Sequence, residues 1–578
     1  MPSSKLTRSY YRSPSWGVDP MQYTPAELLD IRGAANPDKE AIVVLDVDKP
    51  RQAITFGELK TKTEQLAAGL IREGLQTGDR VALLCPTSLE YSICEYAMAR
   101  TGAILIRFHV SVKSSDSVKF VLNHTRCRWL IALPGDKDEN YRLLAEMIPG
   151  LAKQGPLIKL TADLPNLETI FLISSDADSY PGTVPWTTLF TGIQDGDLDT
   201  MRKHQATIDS DMIHGCYCTS GSTGNPKFVA ISGHWMTNSF RAFFKRLGVN
   251  ESDRMMSDRP MFYVGGSTIP MLSIGCTFVS VKTATTGPEA QKGLNFYFKC
   301  LEVEGITVPY TLPYMLPELL GRIRDGMDVS KIKVGMTSGQ VIRGDMLRSF
   351  YELDFPIVNE YGGTEAEGIC STLLSDPIDI KVAKTGIGLD NEIKIIDENG
   401  VIVPVGTEGE VCVRSPFMFV EYLGDEERTS QAKDSMGWYH TDDNGVMDEN
   451  GYLTIHGRKS EVITKATVKI YPSAIEKVIR EHTKIRQVVA SGIPHPVIKE
   501  EICLCIVAES GADLTAEDVR VYCKEKFQGD ETGSGSMPDY VLLFDKFPAG
   551  ATAWKTERRK IRAEAVQRIE ADREGCRI

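Results

Sequence analysis

The chain has 578 residues, which at roughly 150 residues per domain makes several structural units with room for large apolar cores. Its formal net charge of -13 excludes a nucleic-acid binder whose affinity comes from basic side chains neutralising phosphates, while a local basic site for a nucleotide stays compatible with it. No apolar run reaches the ~18 residues needed to cross a bilayer. The 13 cysteines, an odd number without CxxC pairs, read as reduced buried thiols of an intracellular protein and not as a disulfide framework or zinc site.

The N-terminus carries Lys5, Arg8 and Arg12 and no acid before Asp19, the bias of a mitochondrial presequence and equally the composition of a loosely docked tail. Cytoplasm and mitochondrion both fit. The last three residues, Cys576-Arg577-Ile578, resemble a peroxisomal tripeptide only loosely. Residues 41–45 predict a strand. Thr55, with Glu58 three residues on, forms a capping box for a helix that shows Leu59, Leu66, Leu70 and Ile71 on one face and ends at Gly74. Strands are predicted at 81–85 and 103–106 around a helix at 91–99, an order that gives a parallel sheet covered by helices. Residues 135–199, rich in Asp, Gly and Pro, predict irregular loops around a strand at 169–173.

Residues 217–227, YCTSGSTGNPK, place hydroxyls and glycines in front of a lysine. Glycines let backbone N–H groups turn toward an anion, Thr219, Ser220, Ser222 and Thr223 add donors, Gly221 and Gly224 bend the chain, and Lys227 brings a positive charge. The GxxxxGK[ST] order is absent, because Lys227 follows Asn225-Pro226 and precedes Phe228. Strand-like runs at 215–218 and 228–231 make this a hairpin loop, and an ordinary surface loop has the same composition. Residues 260–266, PMFYVGG, put Phe262, Tyr263 and Gly265 with Met261 and the later Met271 in an apolar pocket or in the core.

Strands are predicted at 277–281, 333–337 and 357–360, and Thr337-Ser338-Gly339-Gln340 reads as a turn. In 359–365, NEYGGTE, the glycines let backbone run against the flat ring of Tyr361, and Glu365 offers carboxylate oxygens to a magnesium ion. Residues 386–421 predict an antiparallel, barrel-like piece with strands at 392–397 and 409–413 and turns at Glu398-Asn399-Gly400 and Pro404-Val405-Gly406. In 438–452, WYHTDDNGVMDENGY, the Asp443 carboxylate suits a vicinal diol, while Asp448-Glu449-Asn450-Gly451 also reads as an acidic surface turn. Beyond 457 come GRKSEVITKATVKIYPSAIE, strands at 488–493 and 502–507, a helix at 515–526, a Gly/Ser-rich stretch at 529–536, a strand at 540–544 and finally FPAGATAWKTERRKIR at 547–562.

In this order and spacing the six stretches resemble the signatures of the adenylate-forming (ANL) superfamily, which includes acyl-CoA synthetases, luciferases and peptide-synthetase adenylation domains. The run ITFGELKTKTEQLAAGLIREGLQTGDRVALL is similar to animal medium-chain acyl-CoA synthetases. The resemblance implies a mixed α/β fold. A large N-terminal domain, 1–456, would hold parallel βα sheets, a small barrel-like subdomain and the acyl and ATP sites. A small mobile α/β domain, 457–578, would carry the catalytic lysine.

By the same resemblance, Thr219 to Gly224 and Lys227 hold phosphates, Tyr361, Gly339 and Gln340 meet the adenine, and Thr364 meets the α-phosphate. Glu365 binds Mg²⁺, Asp443 and Arg458 bind the ribose, Ser460 is the hinge, Lys555 is the catalytic lysine, and Phe262, Tyr263 and Gly265 line the acyl pocket. The implied activity is ATP-dependent carboxylic acid:CoA ligation through an acyl-adenylate, with ATP, Mg²⁺, CoA and a small carboxylic acid as its cofactors and partners. A medium-chain fatty acid is the first choice of acid and an aryl acid the second. Several residues depart from the family pattern: Phe228, Asp442, Ala466-Thr467 and Trp554 stand where glycine is usual. They keep open an enzyme that passes its adenylate to another acceptor, and a non-catalytic nucleotide- or acyl-binding relative.

Overall fold

The computed structural model describes residues 5–14, 19–108, 114–153, 163–176, 179–219, 226–282, 289–340, 342–466, 468–509, 511–527, 537–548 and 557–577. The chain divides into two compact units, one of residues 12–392 and 413–439, the other of residues 1–11, 393–412 and 440–578. The mixed α/β architecture expected from the sequence is present in both.

The first unit contains two sheets. The eight-stranded one runs, in spatial order, Glu421–Tyr422, Lys227–Ser232, Ile213–Thr219, Ile104–Arg107, Arg80–Leu84, Trp129–Ala132, Thr169–Leu172 and Val184–Pro185. Its middle is parallel, and it turns antiparallel at the hairpin formed by Ile213–Thr219 and Lys227–Ser232. The nine-stranded sheet follows the same plan: parallel pairings join Glu40–Asp46, Thr277–Lys282, Arg254–Ser257, Val308–Tyr310, Gly335–Ser338 and Ile357–Gly363, with antiparallel strands at both ends. Strands covered on both faces become continuous apolar runs, as in Ala41 to Leu45, all buried.

Helix Phe56–Arg72 forms where the capping signal placed it. The Glu58 N–H donates to Thr55 Oγ1 at 3.2 Å and the Thr55 N–H donates to Glu58 Oε2 at 2.9 Å. Its Leu59, Leu66 and Leu70 are buried in the main core, and Gly74 leaves the helix with φ +94. A second core, on the other face of the eight-stranded sheet, takes Cys216, Cys218 and Phe228.

The other unit is built on two five-stranded sheets. One contains Tyr10–Arg12, Glu392–Ile396, Gly409–Arg414, Tyr439–Met447 and Leu453–Arg458. The barrel-like piece therefore draws in an N-terminal strand and a later hairpin. Gly400 and Gly406, at φ +78 and +77, make the expected turns. The second sheet joins Val468–Ile470, Ile463–Lys465, Lys499–Ala508, Ile485–His495 and Tyr540–Leu543. All 13 cysteines are free thiols, and all but Cys576 are buried, Cys503 and Cys505 among them. Among the described residues, no helix is long and apolar enough to cross a membrane.

The basic N-terminal segment is docked. The Leu6 N–H donates to Glu449 O at 2.8 Å, the Ser9 N–H to Val403 O at 2.9 Å, and the Val405 N–H to Thr7 O at 3.2 Å. Tyr11 is buried against Gly451, where a Cβ would come within 2.6 Å of the ring. Tyr11→Ala should cost about 3 kcal/mol, as truncation of a buried aromatic does. A chemical-denaturation midpoint equal to wild type would mean the segment contributes nothing to the folded unit.

Candidate active site

In the first unit, the hairpin pairs Thr219 with Lys227 at the mouth of its loop. Ser220, Gly221, Ser222, Thr223 and Gly224 lie outside the described residues. Successive strand residues point to opposite faces, so Lys227 and Phe228 part company. Phe228 goes into the second core, its ring centroid 4.9 Å from that of His124 and 6.2 Å from that of Phe120. The bulky residue after Lys227 is thus a packing residue on the far side of the strand.

Lys227 Nζ lies 4.8 Å above the ring centroid of Tyr422 and 3.4 Å from its hydroxyl. The Tyr422 hydroxyl donates to Glu365 Oε1 at 2.7 Å. Burial first, then the Glu365 charge, push this phenol above its ordinary range, so it stays protonated and acts as the donor. Three backbone bonds of 2.8 Å seat the segment: the Phe419 N–H donates to Glu365 O, Val420 to Ala230 O and Leu423 to Phe228 O. Tyr422 was not among the sequence candidates.

Glu365 stands with Thr364 in the two-residue loop of a hairpin, since Gly363 pairs with Ala366 across strands Ile357–Gly363 and Ala366–Ser371. Parallel register of Thr337 with Asn359 and Ser338 with Glu360 brings the Gly339-Gln340 turn alongside Tyr361. Gly339 has φ +90, and Asn359 Nδ2 donates to Gln340 O at 3.1 Å.

Glu360 anchors the same hairpin. Its Oε1 accepts the Gly368 N–H at 2.8 Å, and a Cβ on Gly362 would fall 2.5 Å from that oxygen, which leaves glycine as the fitting residue there. Burial raises the Glu360 carboxyl to about 7. Burial and the Glu360 charge raise Glu367 as well. A carboxyl held above its unfolded value of 4.5 weakens the fold as pH rises from there to about 7, and the penalty is complete above that. Glu360→Gln keeps an acceptor for Gly368 without the charge. It should melt with wild type at pH 5 and higher than wild type at pH 8; equal melting curves at both would remove the assigned cause.

The PMFYVGG stretch splits. Met261 and Met271 are fully buried in the main core, while Phe262 and Tyr263 are half-buried with ring centroids 4.9 Å apart. A Cβ on Gly265 would meet Arg259 Cδ at 2.7 Å. The Arg259 guanidinium lies 3.7 Å above the Tyr310 ring and donates to Tyr310 O at 3.0 Å and Ser338 Oγ at 3.4 Å. A buried ion pair sits nearby in sequence terms: Glu95 accepts from Arg107 Nη2 at 2.7 Å, Ser267 Oγ at 3.0 Å and Thr268 Oγ1 at 2.6 Å, and Arg107 lies 4.4 Å above the Tyr217 ring. Arg259, Tyr310, Glu95 and Arg107 were not singled out in the sequence, where Glu95 and Arg107 are isolated charges in apolar runs and Arg259 follows the polar pair Ser257-Asp258.

In the other unit, Asp443 and Arg458 are register partners, and Arg458 Nε donates to Asp443 Oδ1 at 3.1 Å. Arg458 Nη1 also donates to Thr441 O at 2.8 Å. Asp442, in place of the usual glycine, has φ +61, so the backbone keeps a left-handed conformation there with an aspartate in it. Its Oδ2 accepts a hydrogen bond from Ser460 Oγ at 2.9 Å.

Lys465 pairs with Val468 across an antiparallel hairpin, and Ala466 follows the first of its strands into the turn. Such turns favour glycine for its positive φ, and Ala466 has φ +56. Thr467, Trp554 and Lys555 lie outside the described residues. Relief of the left-handed strain, less the extra unfolded-state freedom of glycine, should make Ala466→Gly more stable by about 0.5 kcal/mol. A lower midpoint in denaturant would contradict this.

Residues 29–423 match the family model of AMP-binding enzymes. This chain belongs to that family. With it comes membership of the adenylate-forming superfamily. The chain is 27% identical over 544 residues to the mitochondrial medium-chain acyl-CoA ligase ACSF2 of Danio rerio, covering 92% of this chain and 87% of that one. The ACSF2 of Homo sapiens is 26% identical over 561 residues, covering 94% and 88%. Among solved structures, the anthranilate CoA ligase AuaEII in complex with anthranoyl-AMP has the same fold, with a TM-score of 0.77 at 20% identity over 96% of this chain and 99% of that one.

The donor set of this AMP-binding enzyme fits a nucleotide-borne magnesium ion. Among the described residues no group of three or more His, Cys, Asp or Glu side chains could cage a metal. Glu365 is instead a single carboxylate with Oε1 engaged by Tyr422. Mg²⁺ is suited to such a place, taking one or two carboxylates and completing its shell with phosphate oxygens and water.

Proposed function

We propose that this AMP-binding enzyme is an AMP-forming carboxylic acid:CoA ligase. The observation that carries the reading is the linkage of Lys227 and Glu365, a phosphate-seeking cation and a metal-seeking carboxylate, through one tyrosine. In the first half-reaction a carboxylate oxygen of the acid bonds to the α-phosphorus of ATP, and the bond from that phosphorus to the pyrophosphate oxygen breaks. Lys227, with Thr219 to Gly224, takes the phosphates, and Thr364 the α-phosphate. Glu365 would hold the magnesium ion, which when bound neutralises phosphate charge. Gly339, Gln340 and Tyr361 take the adenine, and Asp443 with Arg458 the ribose. Lys555 balances the negative charge that develops as pyrophosphate leaves. In the second half-reaction the CoA thiolate attacks the acyl carbonyl, and AMP departs with the carbonyl–oxygen electron pair.

The functional boundary lies near Gly457, with residues 457–578 as the mobile part and Ser460 as its hinge. A medium-chain fatty acid is the substrate we assign, supported by similarity to the medium-chain acyl-CoA ligases ACSF2 and by half-buried Phe262 and Tyr263. Arg259 against Gly265 favours an acid with a polar or aryl end as the second choice. A second reading, transfer of the adenylate to an acceptor other than CoA, is favoured by Ala466, whose Cβ occupies a turn position where the family has glycine. We place the enzyme inside the cell, in cytoplasm or mitochondrion, where its thiols stay reduced.

Incubation with ATP, Mg²⁺ and a panel of acids, with and without CoA, tests all of this. Pyrophosphate and acyl-CoA are expected with medium-chain acids. Pyrophosphate without thioester would select the second reading, and no pyrophosphate with any acid would leave a binding protein. Lys555→Ala should slow adenylation by about a hundredfold or more while ATP binding persists; equal loss of both would remove the role given to Lys555.

A further inference from the structure

Tyr422 touches two site residues through two different parts of its side chain. The hydroxyl donates to Glu365 Oε1 at 2.7 Å, and the ring face carries Lys227 Nζ at 4.8 Å from its centroid. A hydrogen bond to an ionised carboxylate is about twice as strong as a neutral one, and a cation over a buried aromatic face is held without neutralising its charge. The ring itself has little freedom. It is buried, its centroid lies 4.9 Å from that of Phe419 with the rings tilted by 46°, and its backbone N–H donates to Thr429 Oγ1 at 2.9 Å. Lys433 Nζ in turn donates to Val420 O at 2.7 Å and Phe419 O at 3.1 Å, pinning the segment from behind.

We propose that Tyr422 is a positioning residue for adenylation, fixing the Glu365 carboxylate by its Oε1 so that Oε2 remains for the nucleotide's divalent cation, and holding Lys227 over its ring until phosphate takes it. The inference rests on the ligase reading and names a residue outside the motifs that led to it. Groups that orient a metal-binding side chain typically change metal affinity or activity by 10- to 100-fold when removed. Phenylalanine at 422 separates ring from hydroxyl, since it keeps the ring under Lys227 and loses the donor to Glu365 together with the long 3.4 Å contact from Lys227 Nζ.

The test compares wild type, Tyr422→Phe, Tyr422→His, Glu365→Ala and the double variant Tyr422→Phe/Glu365→Ala. Two quantities are read: the free Mg²⁺ concentration that half-saturates acid-dependent ATP–pyrophosphate exchange, and the rise in melting temperature on adding ATP with and without Mg²⁺. For Tyr422→Phe, half-saturating Mg²⁺ should rise about tenfold and the Mg²⁺-dependent part of the thermal shift should shrink, with the Mg²⁺-free part unchanged. Tyr422→His, which keeps an N–H donor, should recover part of the loss. In the Glu365→Ala background Tyr422→Phe should add nothing further to either quantity.

Wild-type Mg²⁺ dependence in Tyr422→Phe would overturn the proposal, as would a loss that persists in the Glu365→Ala background. A lower melting temperature without nucleotide, at unchanged Mg²⁺ dependence, would show a packing role only and likewise overturn it. Should Tyr422→Phe not fold, Tyr422→Leu, which also lacks a donor to Glu365, takes its place in the cycle. Absence of exchange in wild type with every acid would refute the ligase reading instead, and the thermal shifts would still decide the role of Tyr422.

Discussion

Three backbone hydrogen bonds seat residues 419–423 against the hairpin strand and the Glu365 turn, and the chemistry of the first unit depends on them. A lysine at the exit of one hairpin and a carboxylate in the loop of another have no reason of their own to meet. Both loops end strands of different sheets, and loops placed by rigid strands inherit the precision of the strands. The short strand Glu421–Tyr422 adds to the edge of the eight-stranded sheet through Val229 and Ala230, while Phe419 bonds to Glu365 itself. The segment therefore converts two separate strand ends into one polar cluster, with Tyr422 as its centre.

The replacements at glycine positions fall into two physical kinds. Phe228 sits in an extended strand, where any residue fits, and its side chain leaves on the face opposite Lys227. Asp442 and Ala466 are different, because the backbone at both keeps a positive φ although the glycine is gone. Aspartate tolerates that region better than most residues, since its short polar side chain can bond locally, and here it accepts from Ser460. Alanine has no such compensation. Of these replacements in the described backbone, the uncompensated strain therefore falls at the Ala466 turn.

Much of the fold was legible because its elements announce themselves locally. The Thr55–Glu58 capping box, the apolar runs of the parallel strands and the turn glycines at 400 and 406 are short-range signals, and each appears where it was read. What was not legible was pairing between distant segments. Strand Tyr10–Arg12 joins residues near 392 and its neighbours near 449, so the basic composition of the N-terminus said nothing of its partners. Met261 and Met271 carried the same apolar signal for a core as for a pocket, and packing put both in the core. Asp443 and Arg458 were found separately by motif, and antiparallel register made them neighbours. Tyr422 has no local signature, since its meaning lies in what two other motifs bring to it.

The buried charges tell the same story from the energetic side. Removing Glu95 and Arg107 from water costs several kcal/mol per ion, and an apolar pair of similar volume would often stabilise the fold as well or better. The pair's value therefore lies in what it fixes. Glu95, on helix Leu89–Thr101, takes hydroxyl donors from Ser267 and Thr268, just after the PMFYVGG stretch, while its partner Arg107 lies on the ring of Tyr217 in strand Ile213–Thr219 of the Lys227 hairpin. Arg259 does the equivalent on the other sheet, bonding to Tyr310 O and Ser338 Oγ just before the Gly339-Gln340 turn. Apolar contacts of the right volume would tolerate small slips of these turns against one another. Directed hydrogen bonds to fixed charges do not, so the buried ions hold residues 259–268 in register with strands Ile213–Thr219, Val308–Tyr310 and Gly335–Ser338.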